Sequence, residues 1–264
     1  MYRRRRLVAA GLVTMVLVGV HSTVVALTRP DPRAATAQQV AAAGRAAGAK
    51  RVVPTQPRGA VDCRVTPCVA LTFDDGPVPE TAKLVDVLAE RGVRATFFVI
   101  GQQAKRYPEV LQRAARAGDE IGNHSWSHID LRSADAATVA KQLDRTSDVV
   151  EAATGVRPAT MRPPYGEATK STAAKAGLPQ VLWSLDTRDW DGRSTSVVVR
   201  GVLADVQPGD IVLLHDSHAG TRAAAPLIAD GLLRKGYALV TVSELLGTDL
   251  KAGRIYRSGP TPKH

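Results

Sequence analysis

"LTFDDGP", Leu71–Pro77, ends an apolar run on two adjacent aspartates, Asp74 and Asp75, and turns away at once through glycine and proline. Two like charges side by side raise each other's cost of ionising, and a strand interior is the worst place for them. The stretch reads as a strand that delivers two carboxylates to its own carboxyl end and stops there. Working outward, similar short apolar runs recur: "CVALTF" (68–73), "ATFFVI" (95–100), "DEIGN" (119–123), "ATMR" (159–162), "QVLWSL" (180–185), "DIVLLH" (210–215) and "YALVTV" (237–242). Amphipathic stretches separate them, such as "PETAKLVDVLAERG" and "YPEVLQRAARAG". The latter sets Val110, Leu111, Ala114, Ala115 and Ala117 beside Arg113 and Arg116 and ends on Gly118, a helix stop. Regular alternation of strand and helix implies parallel strands with covering helices. By periodicity, seven strands fit a closed barrel and an open doubly wound sheet equally.

Most of the unusual polar residues stand at the carboxyl ends of these runs: Asp74 and Asp75, His124 and His128, Arg162, Asp186 and Asp189, and His215. In barrels of this kind that face carries the chemistry. "NHSWSH" spaces His124 and His128 four apart, close enough to share one metal if the segment is helical or tightly turned. Two imidazoles and one carboxylate bind a divalent ion and leave positions open for water and substrate. A second carboxylate beside the ligand is placed to act as base. Spacing alone does not separate the roles of Asp74 and Asp75.

The charge of the chain is unevenly placed. Residues 1–59 hold ten basic residues and one acid, and residues 251–264 hold four basic residues and no acid. Residues 60–250 hold 21 basic and 24 acidic residues, so the high pI belongs to the ends and the folded part is slightly acidic. With no basic stripe interleaved with aromatics in the middle, nucleic acid is not expected as a partner. "MYRRRR" precedes an apolar run over 7–27, long enough to cross a hydrocarbon core of roughly 30 Å. Arginines on its amino side hold that end in the cytoplasm and send the rest out. The length of the run favours an uncleaved anchor over a cleaved signal peptide, and Ala35-Thr36-Ala37 lies well past it. The expected organisation is therefore an arginine cluster with a transmembrane anchor or signal segment over 1–27, a flexible linker over 28–61, a catalytic domain over 62–248, and a disordered basic tail over 249–264. Cys63 and Cys68 are the only cysteines, and in an exported protein such a pair reads as a disulfide.

"TFDDGP", "HSWSH", "RPPYG", "DTRDW" and "LLH", in that order, make the chain resemble the NodB-type polysaccharide deacetylases of carbohydrate esterase family 4, over about residues 68–246. The resemblance implies a distorted (β/α) barrel with seven or eight parallel strands and a divalent metal, zinc first, with cobalt or manganese as alternatives. It makes Asp74 the general base and Asp75 the metal ligand beside His124 and His128. It has Arg162 holding Asp74, and the backbone N–H of Tyr165 stabilising an oxyanion. His215 becomes the general acid with Asp189 orienting it, Leu213 lines a pocket for the acetyl methyl group, and Trp190 forms a wall of the groove. It implies removal of N-acetyl groups from an extracellular polysaccharide, peptidoglycan N-acetylglucosamine or a chitin-type oligomer, with acetylated xylan as the alternative substrate.

Two other classes fit less of the sequence. "HID" (128–130) followed by His215 has the order of a non-haem iron triad, but that site belongs in a fold of many short alternating strands and leaves Asp74, Asp75 and Arg162 without a task. A non-catalytic glycan-binding domain would not need the full set of catalytic groups. His218, His21 and His264 match no motif, Asp186 and Asp216 have no evident task, and no signal speaks to oligomeric state.

Overall fold

All seven residues of the first strand, β1 (Cys68–Asp74), are buried, and the period of two sorts their side chains between two environments. Val69, Leu71 and Phe73 join the core beneath the helices, while Cys68 and Ala70 belong to a second cluster on the other face. Burying side chains of the size of Leu71 and Phe73 stabilises by about 1.5–3 kcal/mol each. Thr72 and Asp74 face inward with Ala70, where polar atoms meet across the sheet. The computed structural model describes residues 56, 59–247 and 249–262. The expected anchor over 1–27 and most of the expected linker lie outside the described residues. Among the described residues, no helix is long and apolar enough to cross a membrane.

Strands β2 (Thr96–Val99), β3 (Glu120–Asn123), β4 (Gln180–Val181), β5 (Leu185–Asp186), β6 (Ile211–His215), β7 (Ala238–Val240) and β8 (Ile255–Tyr256) follow in chain order. All named pairings are parallel. Sheet neighbours run β3-β2-β1-β6-β5, and β7 pairs with the first half of β1 where β2 pairs with its second half. Isolated parallel bridges from Asn123 to Met161 and from Met161 to Gln180 carry the ladder onward from β3 to β4. Because β4 and β5 are two pieces of one passage of chain, the ring closes on itself, which decides for the barrel over the open sheet. The described residues form eight helices: α1 (Thr81–Ala89), α2 (Gly101–Arg106), α3 (Pro108–Ala117), α4 (Ala136–Thr154), α5 (Lys170–Ala176), α6 (Thr195–Asp205), α7 (Ala219–Arg234) and α8 (Val242–Leu246), the last packing Val242 and Leu245 into the cluster of Cys68 and Ala70. Helix α3 buries Val110, Leu111 and Ala114 and ends on Gly118 at φ 88°, as its sequence pattern expects.

Four expectations need correction. "ATMR" is not a strand; only Met161 bridges its neighbours, and Arg162 turns inward, its hydrogen bonds going to the Val181 and Leu182 carbonyls beside it and to Thr72 and Asp74 on β1. "QVLWSL" is broken into β4 and β5, the break falling where Trp183 meets the cavity. The tail over 249–264 is not wholly disordered: Ile255–Tyr256 adds β8 to the open edge of β4, and Gly259 N–H donates to the Gly209 carbonyl (2.8 Å). An unpaired sheet edge is a row of free backbone donors and acceptors, and this segment satisfies it. Within the expected linker, Gln56 is buried, its amide donating to the Leu239 carbonyl and its carbonyl accepting from Leu239 N–H (3.1 and 2.6 Å). The Cys63–Cys68 disulfide is present, with both cysteines buried beside Ala70 and Val240.

Candidate metal centre and active site

Parallel register brings the chemistry together. Asp74 on β1 lies directly opposite His215 on β6, and Thr72 opposite Leu213. The period of two then puts Leu213 and His215 on the same inner face, while Val212 and Leu214 pack under the helices. Residues more than a hundred positions apart thus share one mouth at the carboxyl ends of the strands.

Asp75, His124 and His128 form one wall of that mouth. Asp75 Oδ1 lies 3.5 Å from His124 Nε2 and 3.4 Å from His128 Nε2. These separations are long for hydrogen bonds, and Asp75 Oδ1 is buried with no hydrogen-bond partner. Tetrahedral zinc with bonds of 2.0–2.1 Å sets its ligand atoms roughly 3.3 Å apart, so the donor set fits such an ion. His124 Nδ1 donates to the Arg162 carbonyl (2.7 Å), which leaves Nε2 as the free lone pair. Burial works to raise the Asp75 pKa, but the neighbouring His124, with His128 and His215, outweighs it and brings it to about 2. The "NHSWSH" segment is a tight loop rather than a helix: Ser125 and His128 adopt positive φ (64° and 55°). Asn123 holds that loop, accepting from Ser125 N–H (2.9 Å) while donating to the Leu143 carbonyl (2.8 Å).

Behind this wall Arg162 is 0% exposed, with every nitrogen used. It donates to Asp74 Oδ1 and Thr72 Oγ1 (both 2.8 Å) and to the Val181 and Leu182 carbonyls (both 3.0 Å). Its guanidinium lies 4.2 Å from the centre of the Phe98 ring. Burial lowers its pKa, and the Asp74 carboxylate works against that shift. A buried cation this well paired fixes the rotamer of its partner, so Asp74 presents Oδ2 toward His124 Nε2 at 3.8 Å.

The opposite wall carries His215. Its Nδ1 donates to Asp189 Oδ1 (2.8 Å), and its backbone N–H donates to Asp189 Oδ2 (2.7 Å). Thr221 Oγ1 and Trp190 N–H complete the Asp189 carboxylate (2.6 and 3.1 Å). Burial disfavours a proton on His215, but the Asp189 hydrogen bond and the charges of Asp74, Asp189 and Asp75 win and raise its pKa. Burial likewise opposes the Asp189 charge, and the contacts with His215 and Thr221 bring its pKa below the usual range.

Between the walls lies a cavity of about 490 Å³, lined by Asp74, Asp75, His124, His128, Leu213 and His215 and edged by Tyr165, Trp183 and Trp190. Tyr165 is 65% exposed and sits at φ 62°, its ring edge-on to His128 and its hydroxyl donating to the His128 carbonyl (3.3 Å). Trp190 is 50% exposed. Asp186 shapes the turn that follows, accepting from Arg188 N–H (2.8 Å), where Arg188 has φ 52°. Thus eight of the ten residues singled out in the motifs line the cavity, and Arg162 and Asp189 stand directly behind it. Thr72, Asn123, Trp183 and Thr221 were not singled out. Trp183 stands inside the run "QVLWSL", whose break the pattern does not show; the three small polar residues give little local signal, because the partners that fix them (Val212 and Arg162, Leu143, and Asp189) lie 20 or more positions away.

A family model described as polysaccharide deacetylase matches residues 62–181. The chain is 40% identical over 205 residues to the peptidoglycan-N-acetylglucosamine deacetylase PgdA of Listeria monocytogenes, an alignment covering 77% of this chain and 43% of that protein. It therefore spans less than half the length of that relative. It is 42% identical over 177 residues to a chitooligosaccharide deacetylase of Sinorhizobium fredii, covering 63% of this chain and 77% of the other. A solved structure, T48 deacetylase with substrate, aligns with a TM-score of 0.72 at 41% identity, covering 75% of this chain and 100% of that one.

Proposed function

The chain belongs to the polysaccharide deacetylase family, and we propose that it hydrolyses N-acetyl groups on an extracellular polysaccharide, N-acetylglucosamine of peptidoglycan or chitooligosaccharides. The observation that carries this reading is the cavity in which an Asp75–His124–His128 donor set is flanked by Asp74 on one side and His215 on the other. Two imidazoles and a carboxylate suit zinc, with cobalt or manganese as substitutes. Such an ion supplies Lewis acidity, polarising the acetyl carbonyl and acidifying water.

The chain's own residues supply the rest. Asp74, held by Arg162, accepts the proton of the attacking water as its oxygen bonds to the carbonyl carbon. The backbone N–H of Tyr165 donates to the oxyanion that forms. His215, charged and braced through Nδ1 by Asp189, gives its Nε2 proton to the amine nitrogen as the C–N bond breaks, so acetate and a free amine leave. Leu213 receives the acetyl methyl group, and Trp190 forms a wall for the sugar. The arginine cluster and apolar run over 1–27 support an exported domain tethered to the membrane by its amino-terminal segment, in reach of a cell-wall substrate. Purified protein loaded with zinc should release acetate from peptidoglycan or chitooligosaccharide in preference to acetylated xylan. No release from any of the three refutes the reading.

A further inference from the structure

We propose that Asp216 is a positioning residue that locks the loop after Asp75 to the strand end carrying His215, holding the metal-side and acid-side walls at one separation. The proposal rests on the function proposed above.

Asp216 follows His215 at the end of β6 and is completely buried. Its carboxyl group lies flush against Gly76: a β-carbon at that glycine would come within 2.2 Å of Asp216 Oδ2 and 2.3 Å of Oδ1. Gly76 does not have the left-handed backbone that glycine favours, so the missing side chain serves space rather than conformation. Asp216 Oδ2 accepts a hydrogen bond from Thr81 Oγ1, and Thr81 Oγ1 in turn accepts from Val78 N–H (3.1 Å). One carboxyl group therefore contacts both the Gly76 turn and the first turn of α1. From the other side, Ile100 N–H donates to the Gly76 carbonyl (3.0 Å), so the turn is clamped between β2 and β6. The Asp216 backbone is itself held, its carbonyl accepting from Arg222 (2.6 Å).

The residue immediately before the clamped turn is Asp75, at φ 73°, a backbone conformation that persists only where its surroundings enforce it. Asp216 Oδ1 is buried without a hydrogen-bond partner, so the carboxyl group is a poor source of stability. Its geometry instead places it one residue from the acid and one contact from the residue after a metal ligand.

The test uses the full chain and four variants: Asp216→Ala, Asp216→Asn, Gly76→Ala, and Gly76→Ala with Asp216→Ala. Each is measured for zinc affinity of the metal-free protein by calorimetry, kcat for acetate release at saturating zinc, and melting temperature. Asp216→Ala should lose roughly 10–100-fold in zinc affinity and a comparable factor in kcat, the range for outer partners of a metal site. Asp216→Asn keeps the volume and an oxygen for Thr81, and should stay within about threefold of the parent in both, on the same scale. Gly76→Ala should fail like Asp216→Ala. The double variant should recover zinc affinity relative to Gly76→Ala, because the new methyl group takes the room the carboxyl group held. An Asp216→Ala protein that binds zinc and turns over like the parent, whatever its melting temperature, overturns the proposal. So does a double variant no better than Gly76→Ala, which keeps the test open if Asp216→Ala does not fold. A parent that binds zinc but releases no acetate refutes the proposed function alone, and the zinc affinities still judge Asp216.

Discussion

At the amino-terminal end of the sheet, Glu120 has two donors on each carboxylate oxygen: Thr160 Oγ1 and Ser243 Oγ on one (3.2 and 2.9 Å), Thr96 Oγ1 and Ser243 N–H on the other (3.3 and 2.8 Å). At the carboxyl end, Asp75 leaves Oδ1 without a hydrogen bond and faces two imidazoles. The loops differ in the same sense. Loops entering the strands use glycine wherever φ is positive at a helix end, as at Gly92, Gly118, Gly177 and Gly236. Loops leaving the strands put Asp75, Ser125, His128, Tyr165 and Arg188 into that region, the five non-glycine residues with positive φ among those described. Each such residue costs on the order of 1–3 kcal/mol. Asp119 Oδ2 and the Gln180 amide are unmet at the amino-terminal end too, so what sets the carboxyl end apart is strain carried by non-glycine residues and an unmet oxygen that faces two imidazoles, the arrangement of a site made for a ligand.

The comparison breaks most visibly at the metal centre. Chelation should abolish acetate release and zinc should restore it; full turnover by protein verified as metal-free would sink the site. Next in size, Asp74→Asn should cost ~10²–10⁴-fold in kcat while zinc affinity, read by calorimetry, stays near that of the parent. Asp75→Asn should do the reverse, weakening zinc first, and exchanged phenotypes would exchange the two roles.

The acid wall gives a subtler effect. His215→Ala should lose far more on an acetamide than on an activated aryl acetate, whose leaving group needs little protonation; equal losses would assign His215 a shaping role. Because the His215 pKa is raised, the protonated acid is present below it and is lost as pH rises through it, so kcat should fall on the alkaline side. Asp189→Asn removes one of the charges that oppose burial, the one hydrogen-bonded to His215. The falling limb of the kcat–pH profile should then move to lower pH, and a limb that stays or moves up would mean another group sets it.

At the amino-terminal end the same kind of change should touch stability alone. Glu120→Ala leaves several donors unmet and should cost about 2 kcal/mol in denaturant unfolding with kcat unchanged. The smallest effect is expected from Gly118→Ala, where a β-carbon enters the left-handed region at about 1 kcal/mol. A drop in kcat from either would mean the two ends are coupled.

Much of this division was legible in the chain. The strand-end aspartates, the histidine pair and the arginine stand beside the breaks in apolar runs, and neighbours in sequence remain neighbours in space. Alternation also sorts Leu213 and His215 from Val212 and Leu214. Two errors came from reading composition without partners. The basic tail containing Ile255 and Tyr256 reads as disordered, yet it pairs along β4, and "ATMR" reads as a strand although only Met161 bridges.

By itself, then, the sequence determined which residues end each strand, which faces they share and which donor types could gather, because those properties depend on residues one to four positions apart. The tertiary structure alone decided that the ring closes through Met161, that Thr72 shares Arg162 with Asp74, that Thr221 completes Asp189, and that Asp216 fills the space beside Gly76. The physical reason is register: a period of two says which way a side chain points, but its partner depends on which strand lies alongside and at what offset, and that is settled only when segments distant in the chain pack together.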